Sequence, residues 1–177
     1  MRREDRQLMV ERLELRRLLA SYVVSPNGSD AGSGQAGAPW ATLQHAALAV
    51  VAGDTVTVKA GNYAGFIMGW DVHNSGTAAA PITWNAEPGA TIVSRNSKTA
   101  DGINLEGVSY ININGFVVNN HNGDGEIDRA GIRAADSSHI TITNCMTLEN
   151  GTWGIYTSHV DDVAIEHNVS ANNNAIN

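Results

Sequence analysis

One pattern returns along this chain and sets the terms for any fold it can adopt. Gly102-Ile103-Asn104-Leu105-Glu106 is followed by Tyr110-Ile111-Asn112-Ile113-Asn114-Gly115-Phe116. Gly131-Ile132-Arg133-Ala134-Ala135 is followed by His139-Ile140-Thr141-Ile142-Thr143-Asn144-Cys145. Gly154-Ile155-Tyr156-Thr157-Ser158 is followed by Asp162-Val163-Ala164-Ile165-Glu166-His167-Asn168, and a fourth copy opens at Ala175-Ile176-Asn177. The leading isoleucines, at 103, 132, 155 and 176, are spaced by 29, 23 and 21 residues. A period in the low twenties holds three short strands and three turns, and apolar residues within each strand alternate with period two. One such coil cannot bury its inward side chains alone, whereas stacked coils bury them against each other.

The chain is therefore expected to wind as an all-β, single-stranded parallel β-helix, each coil rising by one strand spacing of roughly 4.8 Å. Ile103/Ile132/Ile155, Ile111/Ile140/Val163 and Ile113/Ile142/Ile165 are predicted to form inward columns. Phe116, Cys145 and Asn168 share a further inward position at a sharp turn. Cys145 is read there as a small core residue rather than a nucleophile, and Asn168 as a donor and acceptor for the turn backbone. The 29-residue coil carries an insertion from His121 to Arg129. The fourth copy is cut short, so the helix is expected to be truncated at its C-terminal end with an uncapped last coil. Bare strand edges there predict end-to-end self-association.

Upstream of the repeat, Tyr22-Val23-Val24-Ser25 reads as a short strand and Ser25-Pro26-Asn27-Gly28-Ser29-Asp30 as a turn. Thr42 is a plausible N-cap for a short helix running to about Val51, with Leu43, Ala46, Ala47 and Val50 as its apolar stripe. A helix here can close the open apolar end of the stack. Thr55-Val56-Thr57-Val58-Lys59 alternates as a half-buried strand. Two units follow: a charged helical leader or sorting segment, 1–20, and the β-helix, 21–177.

Charge is uneven between them. The leader holds six of the 11 basic residues. The body keeps five basic residues against 14 acidic ones, a net of −9. A body this acidic does not suit nucleic acid, which requires a basic face. An acidic polysaccharide would need local Arg or Lys, or a bound cation, to bridge like charges. The single cysteine forms no internal disulfide, and no apolar run reaches the length of a membrane span.

Two resemblances add to this. Tyr22-Val23-Val24-Ser25-Pro26-Asn27-Gly28-Ser29-Asp30, Pro39-Trp40-Ala41-Thr42-Leu43-Gln44-His45-Ala46 and Gly53-Asp54-Thr55-Val56-Thr57-Val58-Lys59-Ala60-Gly61-Asn62-Tyr63 resemble the opening of bacterial right-handed β-helix proteins of the family 9 polysaccharide lyase group. Asn74-Ser75-Gly76-Thr77 and Ala86-Glu87-Pro88-Gly89-Ala90 continue the match. Glu11 to Ala20 resembles the Leu-Glu-Pro-Arg-x-Leu-Leu leader of planctomycete surface proteins, with Leu15 in place of the proline. The first resemblance implies a right-handed solenoid and an extracellular or cell-surface setting. That family contains lyases, epimerases and proteins of no known activity. Its lyases remove the proton next to a uronate carboxylate with a Lys or Arg base, aided by calcium. The residues that do so usually lie on coils beyond residue 177, and no complete set is matched here.

In related enzymes the substrate groove follows the first strand of each coil, which here presents Asn104 and Glu106, then Arg133, then Tyr156 and Ser158. Arg133 is the candidate catalytic residue and, with Tyr156 and Asn104, a candidate for substrate binding. A guanidinium can hold a sugar carboxylate by paired hydrogen bonds, and Tyr156 or Trp153 can stack on a sugar ring. Asp124, Glu126 and Asp128 in the inserted turn are candidate Ca2+ ligands, since carboxylates at alternate positions can converge on one hard cation. Against these stand an ordinary exposed ladder and a solvated acidic loop. The expected function is that of a secreted carbohydrate-active protein most like a uronic-polysaccharide lyase; the alternative is a non-catalytic glycan-binding or structural surface module.

Overall fold

The structure is a computed structural model and describes residues 19–70, 74–119 and 129–174. Its elements in chain order are β1 (Ser21–Val24), α1 (Leu43–Ala49), β2 (Thr55–Val58), β3 (Gly61–Ala64), β4 (Phe66–Met68), β5 (Ile82–Ala86), β6 (Ala90–Ser94), β7 (Ile103–Glu106), β8 (Ser109–Asn114), β9 (Val117–Asn119), β10 (Ala130–Thr143), β11 (Met146–Leu148), β12 (Trp153–Glu166) and β13 (Val169–Ala171). All pairings between these strands are parallel. They make three strips. The first is β4, β7 and the leading halves of β10 and β12; the second runs β1, β2, β5, β8 and the trailing halves; the third is β3, β6, β9, β11 and β13. Each pass of the chain visits the strips in that order.

The three predicted aliphatic columns are in register, with Ile132 paired to Ile103 and Ile155, Ile140 to Ile111 and Val163, and Ile142 to Ile113 and Ile165. They continue upstream through Phe66, Ile82, Trp84 and Val56. Phe66 and Trp84 stack in the interior with ring centroids 4.4 Å apart. Ile140 and Ile142 are fully buried, while Val163 and Ile165, one pass later, are 39% and 44% exposed. Among the described residues β12 has a partner, β10, on one side only.

Corners are made by single residues in left-handed backbone conformation, repeated pass by pass. Gly115, Asn144 and His167 turn the chain between the second and third strips at φ 80°, 54° and 56°. Asn, Asp and His tolerate that region better than most side chains, because their short polar groups can bond locally. The glycine that opens each repeat has a different cause. A Cβ on Gly131 would lie 2.8 Å from Asn150 Nδ2 and 2.9 Å from Gly154 O, and one on Gly102 would lie 2.4 Å from Val118 Cγ1. No side chain fits where the coil folds back on itself.

Asn168 does what its position suggested. Its Oδ1 accepts from Cys145 N at 2.8 Å and its Nδ2 donates to Ile142 O at 2.8 Å, joining adjacent passes at the corner. Cys145 is buried and its thiol donates to Thr143 O. A second asparagine rung runs at the opposite corner. Asn173 Oδ1 accepts from Asn150 N at 3.0 Å, and its Nδ2 donates to Thr147 O at 3.0 Å.

The N-terminal opening residues build the cap. Asp30 Oδ1 accepts from the N–H groups of Ala41 and Thr42, and its Oδ2 from Thr42 Oγ1. Thr42 is thereby oriented as the N-cap of α1, accepting from His45 N at 3.1 Å. The helix ends at Ala49, two residues short of the expected Val51, and buries Leu43, Ala46 and Ala47 against the core. It stands where a first-strip strand would precede β2. The exposed edge of β4 is satisfied by one side chain: Gln44 Nε2 donates to Ile67 O at 3.1 Å and its Oε1 accepts from Ile67 N at 2.9 Å. That amide replaces the missing neighbouring strand. Of the expected leader, Leu19 and Ala20 are described. Ala20 is already tied to the body, since its N–H donates to Asp54 Oδ1 and its C=O accepts from Thr55 N.

Candidate functional site

The segment 95–102, between β6 and β7, is strapped down at both ends. Asn96 Oδ1 accepts from the N–H groups of Lys98 and Thr99, and its Nδ2 donates to Gln44 Oε1. At the other end Asp101 is fully buried. Its Oδ1 accepts from Ala130 N at 3.0 Å, and its Oδ2 from Thr99 Oγ1 at 3.0 Å and Asn104 Nδ2 at 3.1 Å. A buried carboxylate is tolerated where several donors surround it. Arg129 N donates to Ala100 O, which fastens the same segment to the next pass.

Beside this loop runs the outward row of the first strip, with Ile67, Asn104, Arg133 and Tyr156 in register across four passes. Asn104 faces outward as expected but is not available to solvent. It is 2% exposed, covered by the loop, and its Nδ2 bonds Thr99 and Asp101. Its expected role as a direct substrate contact is corrected accordingly: in this arrangement it stands behind Arg133, at 3.4 Å from Nη1 through its Oδ1. Arg133 forms an ion pair with Glu106 Oε2, and the two side chains are 20% and 25% exposed. One pass further, Tyr156 meets Trp153 with ring centroids 4.7 Å apart and planes at 34°. Trp153 is exposed, and its backbone N–H donates to Arg129 O at 2.9 Å. Asp124, Glu126 and Asp128 lie outside the described residues.

Four of the five basic residues of the acidic body lie on this loop or on segments joined to it: Arg95 and Lys98 on the loop, Arg129 through its backbone N–H to Ala100 O, and Arg133 through Asn104. Sequence reasoning singled out Arg133 alone. The sparseness of cations in 21–177 was a usable signal, but which segments the loop joins depends on its path. An open cleft of about 570 Å³ lies between the cap and this loop, with Pro26, Leu43, Tyr63, Arg95, Asn96 and Lys98 among its walls. Burial pushes the Tyr63 hydroxyl up to about 12, and that hydroxyl donates to Lys59 O.

Elsewhere Ser158 Oγ meets His159 Nδ1 at 3.0 Å and Asp136 Oδ1 meets the same nitrogen at 3.6 Å. A nucleophile relay needs the two partners on different ring nitrogens, so this is a surface contact rather than a triad. Among the described residues no group of three or more His, Cys, Asp or Glu is placed to hold a metal ion, and no helix is long and apolar enough to cross a membrane.

Comparison with known proteins agrees with the architecture. A curated relative from Bacillus subtilis (strain 168), the uncharacterized protein YwoF, is 41% identical over 75 residues, or 42% of this chain and 15% of its own length. A solved rhamnogalacturonan lyase superposes with a TM-score of 0.54 at 18% identity, covering 76% of this chain and 37% of that one. A GH136 lacto-N-biosidase from Eubacterium ramulus gives 0.58 at 14% identity, covering 93% of this chain and 36% of that one. The chain thus spans well under half the length of each of these relatives, and at such identities the two structures show the fold alone. The family model described as the Pel9A-like, right-handed β-helix region matches residues 22–177, and the chain belongs to that family.

Proposed function

We propose that the first strip and the loop 95–102 form a binding surface for an acidic polysaccharide, carried on a single right-handed solenoid in a protein that works outside the cell or on its surface. The observation that carries this is Arg133 on the outward row, in register with Tyr156, which packs on the exposed Trp153, on a body of net charge −9. A uronate polymer offers a carboxylate for Arg133 and ring faces for Trp153 and Tyr156. The names of the two similar solved structures, a lyase and a glycosidase, support a carbohydrate substrate.

The chemistry proposed is that of a uronic-polysaccharide lyase. Arg133 has two candidate roles that exclude each other within one step: as a guanidinium it holds the sugar carboxylate, and as a neutral guanidine it takes the adjacent proton while the C–O bond to the leaving sugar breaks, the carboxylate then falling to another cation. Asp124, Glu126 and Asp128 are proposed to hold a Ca2+ ion. Such an ion, when bound, would neutralise the carboxylate and make that proton more acidic. A second reading, a non-catalytic glycan-binding module, is favoured by one observation: Arg133 is held by Glu106 and Asn104, as suits an anion anchor.

The test is a lyase assay on pectate, alginate and glycosaminoglycan, with calcium or chelator, read as ultraviolet absorbance of the unsaturated uronate. Calcium-dependent product from one polymer, lost in Arg133→Gln, is the expected outcome for the enzyme. Binding without product selects the module.

A further inference from the structure

Resting on the reading of this strip as an acidic-polysaccharide surface, we infer that Glu106 is a resident stand-in for the substrate carboxylate, displaced from Arg133 when a uronate binds. The geometry behind Arg133 is fixed and the geometry in front of it is not. Asp101, fully buried, takes the Nδ2 of Asn104 at 3.1 Å, which leaves the Asn104 Oδ1 facing Arg133. Asp101 is itself held by Thr99 Oγ1 and by Ala130 N, at the start of the strand that carries Arg133. The rear of the guanidinium therefore meets an amide oxygen that cannot flip without breaking a buried bond to a carboxylate. Asp101 and Asn104 are positioning residues for Arg133.

Glu106 differs in kind. It reaches Arg133 diagonally, from two residues beyond the register partner of Arg133 on β7, and its side chain is one-quarter exposed. Its Oε2 pairs with Nη1, the nitrogen that also meets Asn104 Oδ1, on a planar fork that carries five donors and suits any carboxylate presented in its plane. Exchange of one partly exposed carboxylate for another costs little, because a half-solvated ion pair is weak. The pair would also keep Arg133 oriented and shielded from small anions until a polymer supplies its own carboxylate together with ring contacts to Tyr156.

The test compares oligogalacturonate with its neutral methyl ester by isothermal titration calorimetry on the whole chain. Glu106→Gln removes the competing charge and keeps the shape. It is expected to tighten oligogalacturonate binding about fivefold and to leave the ester unchanged. Asp101→Asn, checked for folding by circular dichroism, is expected to weaken oligogalacturonate and spare the ester. An unchanged or weakened acid affinity in Glu106→Gln overturns the exchange. Equal loss of both ligands in Asp101→Asn overturns the positioning role. If neither the native protein nor Glu106→Gln binds either ligand, the reading of the strip itself falls, and the exchange with it.

Discussion

Gln44 offers the sharpest test of how this solenoid is closed. Its amide takes both backbone groups of Ile67, and its Oε1 also accepts from Asn96 Nδ2 at 2.6 Å. Ile67 is buried, at 4% exposure, so water does not readily replace the lost partners. Gln44→Leu keeps most of the volume and removes both bonds. A buried backbone group left unsatisfied costs about 1–3 kcal/mol. Two such groups, with partial relief from local opening, give an expected loss of about 2–4 kcal/mol. Gln44→Glu is informative because it keeps the acceptor for Ile67 N but turns the donor into a second acceptor against Ile67 O; it is expected to be no better than the leucine variant at neutral pH. Urea unfolding followed by far-ultraviolet circular dichroism gives the free energies, and amide exchange at Ile67 reports whether the edge of β4 opens. A Gln44→Leu protein within about 0.5 kcal/mol of the native one, with unchanged protection at Ile67, would refute the view that this side chain stands in for a strand.

Other perturbations follow from the same geometry. Gly131→Ala drives a Cβ to 2.8 Å from Asn150 Nδ2 and 2.9 Å from Gly154 O, so a clear drop in melting temperature is expected, with Gly37→Ala, which meets nothing within 4 Å, as the neutral control. Burial pushes the Cys145 thiol up to about 11 and the Tyr63 hydroxyl up to about 12. Both groups are protonated in the folded state at pH values where the unfolded chain loses its protons. Their contribution is therefore complete below about pH 9 and is lost as pH rises to about 12, a fall that urea titrations across that window would record. Cys145 is expected to resist alkylation at pH 8 until the protein is unfolded; rapid labelling of native protein would contradict its burial. Val163 and Ile165, exposed on β12, which pairs on one side only among the described residues, predict concentration-dependent association of a chain of residues 1–177, and a clean monomer by light scattering at high concentration would count against it.

The inward columns were legible because alternation and a fixed offset are enough to place Ile111, Ile140 and Val163 above one another. The cap was legible through Thr42 and the apolar face of α1. The first-strip strand Phe66–Met68 was not, since the loops that follow it stretch its interval to Ile103 to 37 residues and hide the period. Asn104 shows the limit of parity: alternation gave its outward direction correctly, but the loop 95–102 buries it. The pairing of Glu106 with Arg133 is diagonal between passes, and nothing in either strand's pattern distinguishes a diagonal ion pair from two solvated side chains. Arg95 and Lys98 line the cleft beside the cap by the path of a loop anchored through Asn96 and Asp101, which only the fold reveals.

The proposed receptor role for acidic polysaccharide rests on Arg133 and on the cations of the loop 95–102. Affinity electrophoresis in a gel cast with polygalacturonate, run beside a gel cast with a neutral polysaccharide, tests it directly on the native protein and on a variant with Arg95, Lys98 and Arg133 replaced by glutamine. The native protein is expected to be retarded by polygalacturonate alone, and the variant to run freely in both gels. Equal migration of native protein and variant in polygalacturonate would contradict the account.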